Sequence, residues 1–247
     1  MMESPRIIRL ESVASTNTWL SANALLLPDF TIVEAISQPA GRGQRGNSWE
    51  SEPGKNLTVS MLFRPVADLA AADQFSISEA TALAVADTLS EFGITAMIKW
   101  PNDIYVGERK ICGILIEHSL IGSGITHSIL GIGLNVNQTR FLSDAPNPVS
   151  MNNITGLEYD TDHVRDSLAR ALQARLGRTA ITEGRKELHR EFTDRLWRGD
   201  GKPYPFIDNL TGERFQATID HVEPRGMLCL SPGNRRYAFK EVTFVLK

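Results

Sequence analysis

The sequence has 247 residues, enough to bury a sizeable core as one large domain or as a large domain with a small one. A hydrophobic content of 42%, a charged content of 22% and a net charge of −3 are ordinary for a globular protein and exclude global attraction to nucleic acid or to an anionic membrane. The two cysteines, Cys112 and Cys229, have no CxxC spacing and read as small buried hydrophobes in a reducing compartment. The N-terminal residues lack a basic segment followed by an apolar one, and no apolar run reaches the ~18 residues needed to span a bilayer, so a cytoplasmic, non-membrane protein is expected.

Ile7–Leu10 reads as a short strand, and Ser15-Thr16-Asn17 opens a helix to about Leu26, since hydroxyl and amide side chains cap free backbone N–H groups. Phe30–Ser37 is a β-branched run of strand length. Residues 38–55 hold four glycines and two prolines with no hydrophobic period, which predicts a long loop of the kind that is functional or disordered. Strand character returns over Asn56–Phe63. Ala70–Phe92 is predicted as a helix on which Phe75, Leu83, Ala86, Leu89 and Phe92 share a face, ended by Gly93 in the left-handed conformation.

Strands are predicted over Ala96–Trp100, Lys110–Leu120 and His127–Val136, with turns at 107–109 and 122–124. Val164, Leu168, Leu172 and Leu176 recur every four residues, and a second helix covers Ile181–Arg198; both are expected to lie on the sheet surface. From Gly199-Asp200-Gly201 the pattern changes. Phe215, Ala217 and Ile219 alternate with Gln216, Thr218 and Asp220, and turns divide the rest into about four short strands, which suits a small β-barrel leaning on the larger domain.

Two segments stand out chemically. Gly41-Arg42-Gly43-Gln44-Arg45-Gly46-Asn47-Ser48-Trp49 lets backbone N–H groups approach a ligand closely and adds guanidinium charge, but has neither dinucleotide-binding nor P-loop spacing. Lys99-Trp100-Pro101-Asn102-Asp103-Ile104-Tyr105, with Lys110 shortly after it, puts lysines on both sides of a polar turn that an apolar sheet core does not need. Such a loop opposite such a turn suggests a clamp for an anionic, phosphate-bearing molecule. The histidines at 118, 127, 163, 189 and 221 fall in no ligand-like spacing, and no Ser/His/Asp or Cys/His set is apparent.

In order along the chain, Ser15-Thr16-Asn17, Gln38, Gly41-Arg42-Gly43, Trp49, Lys99–Tyr105, Lys110 before Cys112-Gly113-Ile114-Leu115-Ile116-Glu117, and Gly131-Ile132-Gly133-Leu134-Asn135-Val136-Asn137 resemble the biotin–protein ligases. The resemblance runs from about residue 7 to 140 and resumes in the C-terminal β region. It implies an α+β fold: a catalytic domain over 1–198, built on a mixed β-sheet with helices on one side, and an SH3-like β-barrel over 199–247. It also implies a reaction in which biotin and ATP, with Mg2+, give biotinyl-5′-AMP and pyrophosphate. The biotinyl group then passes to one lysine of a biotin carboxyl carrier protein domain.

By the same resemblance, biotin is bound by Ser15, Thr16, Asn17, Gln38, Arg42, Gly43, Gln44, Lys110 and Gly113, and ATP or the adenylate by Arg42, Arg45, Trp49, Asn102, Lys110 and Asn135. Lys110, Arg42 and Asp103 would be catalytic. Lys110 suits the role because carboxylate and α-phosphate repel and an ammonium between them stabilises the charge that builds there. Asp103 is open between orienting the nucleotide, holding Mg2+ and accepting a hydrogen bond from the incoming lysine amine. Gln44 and Asn47 replace basic residues of the commoner family loop, which weakens the expected hold on the adenylate.

The 38–55 loop is expected to be disordered when empty and ordered by biotinyl-AMP. With Ser15 so near the start there is no room for a winged-helix domain, so neither repressor activity nor a nucleic-acid partner is expected; a homodimer is left open. The alternatives are a lipoate or octanoate ligase and a non-catalytic biotin-binding module. The polar Ser15-Thr16-Asn17 and Gln38 favour a ureido ring over a dithiolane or alkyl chain.

Overall fold

The structure is a computed structural model that describes residues 5–41, 43, 48–66, 69–143 and 145–246. Seven strands form the larger sheet: β1 (Ile7–Ser12), β2 (Ile32–Ser37), β3 (Leu57–Phe63), β4 (Met97–Lys99), β5 (Asp103–Val106), β6 (Arg109–Ile121) and β7 (Gly124–Leu134). Their order is β1-β2-β3-β7-β6-β5-β4, with β1 parallel to β2 and every other pair antiparallel, so the sheet is mixed as expected.

Side chains alternate across a strand, and here the alternation serves two cores. Val59, Met61 and Phe63 of β3 join Leu130 and Ile132 of β7 beneath α2 (Phe75–Glu91). Leu62, Val33 and Ile129 point the other way, onto Leu20 and Ala24 at α1 (Thr16–Asn23). Helices therefore cover both faces, which corrects the expectation of one. After the short α3 (Met151–Thr155), the helices α4 (Thr161–Gly177) and α5 (Thr182–Asp194) also depart from expectation: they pack chiefly on α2, which separates them from the sheet. Arg175 holds Asp87 of α2 at 2.7 Å and Glu191 of α5 at 2.5 Å, joining the three helices.

α1 begins where its cap requires. The Ser15 hydroxyl accepts from Thr18 N at 3.4 Å, and the helix passes at Ala24–Leu26 into a 3₁₀ turn rather than continuing. α2 is shorter than its pattern, starting at Phe75 after a 3₁₀ turn, and Gly93 follows it at φ +74°. Strand β5 was not expected. The Pro-Asn-Asp sequence reads as turn, yet only 100–102 turn, and Lys99 pairs with Asp103 across the hairpin.

The second sheet has five strands rather than about four: β8 (Tyr204–Asp208), β9 (Arg214–Val222), β10 (Leu228–Ser231), β11 (Arg235–Tyr237) and β12 (Val242–Phe244), ordered β11-β10-β9-β8-β12 and antiparallel throughout. Specific polar contacts dock it on the first. Trp100 Nε1 donates to Gly226 O at 3.0 Å, and Arg198 donates to Val245 O at 3.0 Å while its guanidinium lies 4.0 Å over the Trp197 ring. No helix among the described residues is long and apolar enough to cross a membrane.

Candidate active site

A cleft of about 590 Å³ opens on the α1 face of the larger sheet. Its floor is built from three glycines. Gly113 on β6 pairs with Gly133 on β7, and Gly131, two residues along, pairs with Ser60 on one side and Leu115 on the other. A Cβ at Gly131 would collide with the Asn17 amide, and one at Gly133 with the Trp49 indole. Glycine here is a requirement of close approach, not of backbone conformation.

One end of the cleft is polar and uncharged. Gln38 Oε1 accepts from Thr16 N at 2.9 Å and from Thr16 Oγ1 at 3.2 Å. Asn17 Nδ2 donates to Glu117 Oε2 at 2.7 Å and to Leu115 O at 3.2 Å, while Ser60 Oγ lies 2.6 Å from Asn17 Oδ1 and 2.7 Å from Thr16 Oγ1. Ser15, Thr16 and Asn17 are all buried, so these bonds form with little competition from water. The group offers hydroxyl and amide partners and no net charge of its own at the wall, which suits a neutral polar ring.

The other end carries charge. Lys110 Nζ lies 2.7 Å from Asp103 Oδ1, and Lys99 Nζ lies 3.7 Å from Asp103 Oδ2. Burial is the largest influence on Lys99 and depresses its ammonium below the ordinary lysine value; Asp103 opposes this and Lys110 adds to it. Lys99 also stands 5.3 Å from the ring centroids of both Tyr105 and Phe244. Two ammonium groups on one carboxylate leave a local excess of positive charge facing the cleft, as an anionic ligand requires.

Burial pushes the Tyr105 phenol up to about 12 and raises the Cys112 thiol further still, so neither is a nucleophile near neutral pH. The arrangement does not suit Asp103 as a magnesium ligand. A single carboxylate already facing two ammonium groups is matched to amines, whereas magnesium takes carboxylates with free lone pairs and substrate phosphates. Among the described residues, the side chains close enough to share a metal ion are His221, Glu223 and Cys229, and none lines the cleft.

The polar end, cationic end and glycine floor are one continuous site, and comparison with known proteins gives it a family. Residues 10–135 match the model of the biotin/lipoate A/B protein ligase family, about half of the chain. The chain belongs to that family. It is 38% identical over 112 residues to a bifunctional ligase/repressor BirA of Bacillus subtilis, covering 45% of this chain and 34% of that protein. It is 37% identical over 152 residues to a biotin–[acetyl-CoA-carboxylase] ligase of Paracoccus denitrificans, covering 56% of this chain and 60% of that one. The matches thus span less than two thirds of either relative. Among solved structures, a biotin protein ligase of Aquifex aeolicus in complex with biotin and ATP superposes with a TM-score of 0.80 at 22% identity, over 98% of this chain and 99% of that chain, which establishes a shared fold.

Most of the residues singled out from the sequence of this family member meet in the cleft. Ser15, Thr16, Asn17, Gln38, Gly43, Trp49, Asn102, Asp103, Lys110 and Gly113 all line it. Asn102 is anchored by donating from Nδ2 to Ile114 O, with Ile114 N returning a bond to Asn102 O at 3.2 Å. Arg42, Gln44, Arg45 and Asn47 lie outside the described residues, and with them the expected ordering of the loop centre.

Asn135 is the exception. It is 2% exposed and absent from the cleft lining; its Nδ2 donates to Val149 O at 3.0 Å and ties the 147–151 segment to the end of β7.

Sequence reading missed several contributors. From sequence Lys99 reads only as a flank of the turn, and Thr58 and Ser60 only as part of the strand Asn56–Phe63. Their signal was there: two hydroxyls two residues apart on β3 mark one polar face. Asn209, Phe239, Lys240, Thr243 and Phe244 bring the second sheet to the cleft mouth, a contact set by docking with no local signature.

Proposed function

We propose that this chain is a biotin–protein ligase that activates biotin with ATP to biotinyl-5′-AMP and transfers the biotinyl group to a lysine of a biotin carboxyl carrier protein domain. The observation that carries this reading is the polarity of one cleft: a neutral polar wall of Thr16, Asn17 and Gln38 at one end, and Lys110 with Lys99 on Asp103 at the other. A molecule with a ureido ring and a carboxylate tail matches that order, ring to wall and tail to lysines.

In the first step a carboxylate oxygen of biotin attacks the α-phosphorus of ATP, and the bond to the bridging oxygen breaks to release pyrophosphate. Lys110 relieves the repulsion between the two anions and stabilises the charge on the phosphoryl oxygens. In the second step the carrier amine attacks the acyl carbon and AMP leaves. Asp103 would accept a hydrogen bond from the N–H of that neutral amine and take up the proton it sheds as the amide forms. Trp49 and, in the segment outside the described residues, Arg42 and Arg45 would cover the adenylate.

The names of the curated relatives and the ligands of the Aquifex aeolicus structure support biotin and ATP as substrates. The reading includes no repressor role, since the net charge of −3 gives DNA no general attraction. Operator binding in a gel-shift assay would overturn that part.

The deciding experiment measures pyrophosphate release from MgATP with biotin, lipoate or octanoate, with and without a carrier domain. Biotin-dependent release with biotinylated carrier is the expected result. Turnover of lipoate or octanoate alone would make the chain the other kind of ligase in its family, and biotin binding without release would make it a binding module.

A further inference from the structure

Asn17 is held in a single amide orientation by Glu117, Leu115 and Ser60, of which only Leu115 itself lines the cleft. Its Nδ2 has two hydrogens, and both are engaged, by Glu117 Oε2 at 2.7 Å and Leu115 O at 3.2 Å. Its Oδ1 lies 2.6 Å from the Ser60 hydroxyl. Carboxylate and carbonyl oxygens accept only, so turning the amide over would set Oδ1 against them and lose both bonds. The strand register makes this possible: Ser60, Gly131 and Leu115 lie side by side on β3, β7 and β6, and the amide rests on the glycine between its partners.

A second amide is fixed in the same way. Gln38 Oε1 accepts twice from Thr16, so what remains to Gln38 for a ligand is its N–H donors. What remains to Asn17 is the second lone pair of Oδ1, an acceptor. The wall thus carries a preset pattern of one donor group and one acceptor, with the single hydroxyl hydrogen of Ser60 given to Asn17 Oδ1 at 2.6 Å and its oxygen 2.7 Å from Thr16 Oγ1. Ser60 is fully buried, at 0% exposure, in a strand whose residues are all buried. A buried hydroxyl there stays only because it is bonded.

We infer that Ser60, seconded by Glu117, is a positioning residue that presets the hydrogen-bond polarity of the ring-binding wall and so selects a head group bearing both N–H and C=O over an apolar one. The inference rests on the biotin reading above, and supplies the reason the site would reject a dithiolane or alkyl acid of similar length. A ring with both kinds of edge completes every partner, whereas an apolar group leaves a buried donor and acceptor unpaired.

The test measures adenylation kinetics by pyrophosphate release for wild type, Ser60→Ala, Ser60→Thr and Glu117→Gln, with biotin and with octanoate. Loss of one buried hydrogen bond predicts that Ser60→Ala raises KM for biotin about tenfold with kcat little changed. The preference for biotin over octanoate should fall in step. Ser60→Thr keeps the hydroxyl and should restore most of the loss. Glu117→Gln can donate as well as accept, so it releases the orientation of Asn17 and should raise KM in the same direction.

Wild-type turnover of biotin with an unchanged KM in Ser60→Ala would overturn this inference alone. Equal losses in Ser60→Ala and Ser60→Thr, with lowered Tm in both, would reduce Ser60 to a packing residue and overturn it too. Failure of the wild type to turn over biotin would defeat the proposed function, and this inference with it.

Discussion

Lys110 Nζ and Asp103 Oδ1 lie 2.7 Å apart, from adjacent strands and at the cationic end of the cleft, with Lys99 3.7 Å from the other carboxylate oxygen. The pair is part-exposed, at 31% and 21% of side-chain surface, so it is worth little as a stabilising ion pair. Its meaning is positional. Asp103 holds an ammonium where an anionic tail can exchange places with the carboxylate as its partner.

Replacing Lys110 should therefore separate chemistry from binding. Lys110→Ala removes a charge whose strongest partner, the developing phosphoryl charge, appears only during the reaction. Adenylation should fall by about 10²–10³-fold, the range for removing one stabilising donor, while biotin affinity changes little. Single-turnover pyrophosphate release set against calorimetric biotin binding checks this. An equal collapse in affinity would make Lys110 a ground-state ligand.

Lys99 is kept at a cost to stability. Its ammonium is buried against Tyr105 and Phe244, and its folded pKa lies below the ordinary 10.5. Between the two values the unfolded chain binds more protons, so the charged lysine opposes folding below the folded value and the penalty fades as pH approaches 10.5. Lys99→Met places a thioether on the same rings and should stabilise the protein by about 1 kcal/mol at neutral pH, with adenylation impaired. Chemical denaturation at neutral and at alkaline pH should show the gain shrinking; a destabilised variant would refute this account.

How much of this was legible depended on whether a residue's signal was local. Ser15-Thr16-Asn17 announced itself because a polar triplet opening a helix is a short-range pattern, and Lys99 to Lys110 because lysines around a polar turn are out of place beside a sheet core. Ser60 carried a fainter mark: with Thr58 it puts two hydroxyls on one face of Leu57–Phe63, but only the register with Gly131 and Leu115 gives it a task. Asn135 shows the converse. It sits in a glycine-rich strand end that faces the site elsewhere, but its own side chain turns inward to Val149. The approach of Phe244 and Lys240 to the cleft follows from Trp100 and Arg198 bonding the second sheet and the Trp197 ring packing on Phe244, contacts between residues far apart in sequence that no window reveals.

Away from the cleft, stability should respond to pH through His189. Its Nδ1 lies 2.6 Å from Oε1 of Glu79, which is 1% exposed, and this bond raises the imidazole above its ordinary 6.5. A raised base contributes stability that is full below 6.5 and is lost as pH rises through the folded value. His189→Gln should therefore cost more at pH 6 than at pH 8, by about 1–2 kcal/mol, the worth of a charged hydrogen bond. Denaturant midpoints at the two values measure it, and an identical loss at both would mean the pair is neutral throughout.

Two of the three floor glycines make opposite kinds of test. Neither Gly131 nor Gly133 has a positive φ, so alanine fits the backbone at both and the fold should survive. At Gly131 the new methyl meets the Asn17 amide, which three partners hold in place and which has no room to yield. Displacing a positioned ligand partner by about an ångström costs on the order of 100-fold, so Gly131→Ala should weaken biotin binding by about that factor with Tm nearly unchanged. At Gly133 the methyl meets the Trp49 indole, whose Nε1 has no hydrogen-bond partner among the described residues and which holds none of the ring-binding wall. Gly133→Ala should leave biotin affinity within about threefold of wild type, since no ring-binding group is displaced. Calorimetric titration of both variants decides the matter: equal losses would mean that the indole and the amide are parts of one rigid wall, and no loss at Gly131 would mean that Asn17 does not set the site.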